Sequence, residues 1–157
     1  MPIETALELT GVECETLASH AQSRCTRAAT RRFVYSVIQN NGGVQTFYQK
    51  FYVGSVCPLG LLSNGRNANY YDNPLLAKHL RPWIAGCLES QLSIGLRRDA
   101  VIILGTGKNA KFFINLNDEF SFFRKVYVLE HPRYIMQYRR KQKLDFQKNY
   151  NALLEIF

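Results

Sequence analysis

One run of β-branched residues does most to limit what this chain can fold into. Asp99 to Leu104 (DAVIIL) is apolar on successive positions, the pattern of a strand buried on both faces of a parallel sheet. A glycine turn, Gly105-Thr106-Gly107, follows and opens a helix from Lys108 to about Leu116. A second such unit comes next: Lys125 to Leu129 (KVYVL) reads as a strand, Glu130-His131-Pro132 follows at once, and a last helix runs from about Tyr138 to Leu154. Upstream, Phe51 to Cys57 (FYVGSVC) is rich in β-branched and aromatic residues, ends at Pro58, and reads as a strand. Leu59 to Asn73 reads as a Gly- and Asn-rich loop, and Pro74 to Leu96 as a helix with apolar residues that include Leu76, Leu80, Ile84 and Leu88. Arg32 to Asn40 is a short amphipathic helix stopped by Asn41-Gly42-Gly43, with Val44 to Tyr48 as a second short one. Glu15 to Thr30 is ambiguous, with helix as one reading, and Arg27, Arg31 and Arg32 make its end basic. Strands alternating with helices predict an α/β fold: a three-layer αβα sandwich with a mainly parallel sheet and right-handed crossovers, in one domain of residues 1–157.

In such sheets ligands bind beyond the carboxyl ends of the strands. Those ends carry Cys57-Pro58-Leu59, Gly105-Thr106-Gly107 and Glu130-His131-Pro132. An isolated histidine is more often structural than chemical. The place of His131, just past a strand and fixed by Pro132, brings the two readings level. Ser63-Asn64-Gly65-Arg66-Asn67 suits a tight turn, or else amides that hydrogen-bond a base edge or phosphate. Gly105 to Asn109 (GTGKN) offers free N–H groups and a lysine at a helix start, which suits an anion. Neither the P-loop spacing nor a full G-x-G-x-x-G is present, and close helix–strand packing explains the glycines equally well.

Charge narrows the partners. Lys and Arg number 20 against 12 acids, a net +8 with a pI near 9.5, which suits a polyanion. The excess concentrates near the C-terminus, where Arg124, Lys125, Arg133, Arg139, Arg140, Lys141, Lys143 and Lys148 are interleaved with Tyr127, Tyr134, Tyr138 and Phe146. A solvated helix face or a phosphate-contacting surface fits that pattern equally. Cys14, Cys25, Cys57 and Cys87 lie far apart, with no C-x-x-C pair and no histidine at ligand spacing. They read as reduced thiols of a cytoplasmic protein, with no metal or other cofactor expected. No stretch approaches the roughly 20 apolar residues of a membrane span, and the acidic N-terminus does not read as a secretory signal.

Three ordered stretches resemble one family. CPLGLLSNGRN (residues 57–67), VIILGTGKNAKFF (101–113) and LEHPR (129–133) resemble the matching segments of the single-strand-selective monofunctional uracil-DNA glycosylases. With FYVGSVC, NANYYDN and YIMQY beside them, they are closest to that family's bacterial branch. The resemblance runs from about Thr10 to the C-terminus. It implies a base-excision DNA-repair enzyme that takes a uracil, flipped or single-stranded, into a pocket beyond the strand ends and hydrolyses its glycosidic bond without a cofactor. His131 then matches the histidine that hydrogen-bonds the uracil carbonyl as negative charge grows there. Ser55 stands where the family places a base-reading Asn, Arg66 and Asn67 line a loop against DNA, and Arg133 to Met136 take the place of the wedge. Arg139, Arg140 and Lys141 would meet phosphates.

The departures are as specific. The family opens with a strand and a Gly-[Met/Ile]-Asn-Pro-Gly motif whose Asn positions the attacking water. No Asn-Pro-Gly occurs here, and Asn73-Pro74 lies elsewhere. Thr10-Gly11-Val12-Glu13-Cys14 aligns with Thr-Gly-Val-Pro-Phe, so Cys14 replaces the aromatic that stacks on uracil. The expectation is a family domain shortened at its N-terminus and lacking the first strand, with a homo-oligomer as one way to cover that strand's neighbours. Its excision activity is expected to be impaired. The alternatives are an inactive DNA-binding remnant and a nucleotide-binding α/β module built on Gly105 to Asn109.

Overall fold

The computed structural model describes residues 13–15 and 24–157, with side chains from residue 28 onward. The expectations for Thr10–Val12 and for the side chains of Cys14, Cys25 and Arg27 lie outside the described residues. Among the described residues the elements are β1 (Glu13–Glu15), α1 (Arg24–Asn40), α2 (Gly43–Lys50), β2 (Gly60–Ser63), β3 (Arg66–Ala68), α3 (Pro74–Leu92), β4 (Ala100–Leu104), α4 (Lys108–Phe120), β5 (Lys125–Leu129), α5 (Pro132–Tyr138), a 3-10 turn (Arg140–Gln142) and α6 (Lys143–Leu154). They divide into two compact units. The first holds residues 54–101 and 107–127 together with β1, and the second runs through 24–53, 102–106 and 128–157.

In the first unit, β1, β2 and β3 form an antiparallel meander, with Cys14 opposite Leu61 and Leu62 opposite Asn67. Asn64 and Gly65 join β2 to β3 with φ of 51° and 69°. Positive φ at both central residues is the mark of a type I′ hairpin turn, for which Asn-Gly is the preferred pair. The segment expected to be a loop is therefore a hairpin. Conversely, Phe51–Cys57 is not a strand: it leaves α2 with Phe51 extended but belongs to no ladder among the described residues. Composition favoured a strand there, yet a strand exists only where a neighbour accepts its hydrogen bonds.

The start of α3 follows from local chemistry. The Asn73 side chain accepts from Leu75 N–H at 2.9 Å and from Leu76 N–H at 3.2 Å, and Pro74 needs no N–H at the first helical position. Leu76, Leu80, Ile84, Leu88 and Leu92, spaced by four, form its buried stripe. Full burial of such a side chain contributes about 1.5–3 kcal/mol. Arg81 ties α3 to α4, reaching Glu119 at 2.7 Å and the Asn115 carbonyl at 2.9 Å.

The second unit is built on α1, α5 and α6. Phe33, Val37, Ile38, Phe47, Ile135, Tyr150 and Leu154 make one buried cluster, with Ile102, Leu104 and Leu129 from the ends of β4 and β5 packed against it. Beside it, Gln147 donates to the Ser36 hydroxyl, which donates to the Phe33 carbonyl at 2.7 Å. The helix expected from about Tyr138 to Leu154 is a 3-10 turn followed by α6, and a separate helix not expected from the sequence, α5, precedes it. Burial of Pro132 and Ile135 starts a helix directly after His131.

The paired strands β4 and β5 run parallel. Arg124 N–H meets the Arg98 carbonyl at 2.9 Å and Gly105 N–H meets the Leu129 carbonyl at 2.7 Å, so both chains ascend together, connected through α4. This is the strand–helix–strand unit that the sequence announced.

Candidate active site

The carboxyl ends of β4 and β5 lie in the second unit. Gly105 makes the turn there with φ of 115°, a conformation that L side chains rarely adopt, and its N–H is bonded to the end of β5. Thr106 Oγ1 sits 3.3 Å from both Glu130 carboxylate oxygens, a second link between the strand ends. The Tyr150 hydroxyl donates to the Glu130 carbonyl, and its ring stands edge-on to Phe33 at 5.2 Å. Burial first, then the Glu130 carboxylate, push the Tyr150 pKa well up, so its O–H remains a donor throughout the working range. Nothing in the sequence had singled out Tyr150; its only signal was a place in the buried stripe of α6, three residues after Gln147.

His131 follows immediately and is the N-cap of α5. Its Nδ1 accepts from the Arg133 N–H at 3.0 Å. An accepting Nδ1 carries no proton, so in the neutral ring the proton is on Nε2, which is free to donate. Desolvation, with the Arg133 charge second, holds the His131 pKa below its ordinary value. The ring is therefore neutral at pH 7, with one nitrogen committed to the backbone and the other available as a donor. Arg133 on α5, Arg139 at its C-cap, and Arg140 and Lys141 in the 3-10 turn are exposed and have no ion pair among the described residues.

The remaining expected site residues belong to the first unit. The Ser55 hydroxyl donates to the Cys57 carbonyl at 2.8 Å, and the Ser55 carbonyl accepts from Gln91 at 3.0 Å, which secures this segment to α3. Arg66 and Asn67 are exposed on β3, directly after the Asn64-Gly65 turn. Asn109 is engaged structurally: its side-chain oxygen accepts from Tyr70, whose ring stands edge-on to Phe112 at 4.8 Å. Asn73 is likewise occupied as the α3 cap. Among the described residues no cluster of three or more His, Cys, Asp or Glu could hold a metal, and no helix is long and apolar enough to cross a membrane.

This arrangement can hold a neutral donor at the end of a parallel strand beside unpaired basic side chains. The sequence model of the uracil DNA glycosylase superfamily matches residues 18–155. The chain belongs to the uracil DNA glycosylase superfamily. Among solved structures, SMUG2 of Pedobacter heparinus is similar, with a TM-score of 0.77 and 32% identity over 99% of this chain and 67% of that one. No protein of curated function matches at a significant level. The α/β fold is thus of the uracil-DNA-glycosylase kind, with the β4–α4–β5 unit carrying the histidine at its end.

Proposed function

We propose that this superfamily member is a DNA-repair glycosylase that hydrolyses the glycosidic bond of uracil, or a related deaminated base, in DNA, without a lyase step or cofactor. The observation that carries the reading is His131, with Nδ1 held by the Arg133 N–H and Nε2–H left as donor. When the bond from C1′ to the base breaks, the electron pair leaves with uracil and water supplies the hydroxyl at C1′. Negative charge then grows on the uracil carbonyl oxygens. A neutral donor already oriented there stabilises the departing base more than the bound substrate, an effect worth about 3 kcal/mol. The backbone bonds around Glu130 hold that donor in place. In the first unit, Ser55 donates its proton to the Cys57 carbonyl and keeps its lone pairs as acceptors. Arg66 and Asn67, and separately Arg133, Arg139, Arg140 and Lys141, contact the DNA strand.

A second reading is a DNA-binding family member without excision, favoured by one specific feature: Cys14 stands where the family's uracil-stacking aromatic is expected. Excision from a labelled single-stranded oligonucleotide with one uracil, by the wild-type chain and His131→Ala, decides between them. Excision lost in the variant supports the glycosylase. Folded, DNA-binding protein that excises nothing supports the second reading.

A further inference from the structure

We infer that Tyr134 and Tyr138 form a stacking platform for an unpaired nucleobase of single-stranded DNA next to the nucleotide at His131. This rests on the reading that DNA is bound at the end of β5, and it adds a strand preference to that reading. The two residues lie four apart on α5 and so share one face of the helix. Their ring centroids are 5.4 Å apart at an interplanar angle of 46°. They remain 38% and 65% exposed, although the same helix buries Ile135 and Pro132 completely or nearly so. Gln137 donates to the Tyr138 hydroxyl at 2.9 Å, which fixes the polar end of that ring and leaves its face open. Two exposed aromatics could await an apolar partner, but their surroundings argue for an anion. Arg133, Arg139, Arg140 and Lys141 flank them in sequence, exposed and without ion pairs among the described residues. At about 1.5 Å of rise per residue, the tyrosines lie about 5 and 10 Å along the helix from His131. Aromatic faces framed by cations are the combination that holds single strands, because every base has a π-face. In a duplex those faces are already stacked on their neighbours, so the platform acts only on unpaired bases.

The test measures anisotropy of a labelled, uracil-free oligonucleotide, as a single strand, as a duplex, and as a strand whose bases are replaced by propanediol spacers. The proteins are wild type, Tyr134→Ser/Tyr138→Ser and Tyr134→Phe/Tyr138→Phe. Stacking worth about 1–3 kcal/mol per base corresponds to about 5- to 150-fold in Kd. The Ser pair should weaken single-strand binding by at least about 5-fold, leave duplex and base-free strands unchanged, and keep the salt slope. The Phe pair should bind single strands as wild type does, which separates ring from fold. No change on single strands, an equal loss on duplex or base-free strands, or no single-strand binding by wild type would overturn the platform. Because no uracil is present, a chain that binds in this way but excises nothing refutes only the glycosylase reading.

Discussion

Replacing His131 should cost the protein twice, and the two costs can be separated. Its ring caps α5 through the Arg133 N–H at 3.0 Å. His131→Ala leaves that N–H without its partner, a loss of about 1 kcal/mol for an N-cap. For a chain of this size that lowers the melting temperature by about 2–4 °C. The same change removes the Nε2–H donor, for which a fall of about 10²–10³ in single-turnover excision is expected. His131→Asn separates the two. Asparagine is among the strongest capping residues, so its side-chain oxygen takes the Arg133 N–H and stability returns. Its amide nitrogen shares a carbon with that oxygen, whereas the imidazole places its second nitrogen across the ring, so the donor no longer reaches. Urea unfolding and single-turnover excision on the three proteins test both halves. An Ala variant as stable as wild type would refute the cap, and an Asn variant that excises at the wild-type rate would refute the donor.

Acid should weaken the fold through the same ring. Because His131 titrates below its ordinary 6.5 when folded, the unfolded chain takes up the proton first as pH falls. Its contribution is complete above about pH 6.5 and is lost between there and the folded value; urea midpoints should fall across that window less in His131→Asn than in wild type. Tyr150→Phe removes the donor to the Glu130 carbonyl and should cost about 1–2 kcal/mol in urea unfolding, with wild-type stability counting against the clamp. Gly105→Ala should cost about 1–3 kcal/mol from backbone strain, since its φ is 115° while the added carbon would meet His131 Cβ at an unstrained 3.7 Å. A melting curve matching wild type would refute that assignment.

The β4–α4–β5 unit and the histidine at its end were legible because their signals are local: β-branched runs, a Gly-Thr-Gly turn and a Pro after His131. The Asn64-Gly65 hairpin was also written locally, but the density of Asn and Gly around it read as loop. Phe51–Cys57 was misleading for the opposite reason, since its residues suit a strand but it pairs with no strand among the described residues. The interruption between α5 and α6 carries no Gly or Pro to announce it. It follows from burial of Pro132 and Ile135 on one helix and of Gln147, Tyr150 and Leu154 on the next. The expected site residues fall into two sets, with Ser55, Arg66 and Asn67 in the first unit and His131, Arg133, Arg139, Arg140 and Lys141 in the second. Tyr150 was illegible because its hydrogen bond to Glu130 spans twenty residues and depends on how α6 packs.

A histidine at a helix N-cap is an unusual choice, because asparagine, aspartate and serine all cap better. If a stable α5 were the only requirement, drift within a lineage would lead to one of those three. His131 fills that post only adequately, and what it offers that the better caps do not is a second ring nitrogen, left as a donor at the end of β5. Were the proposed chemistry not needed, a better cap could stand here at no cost to the fold.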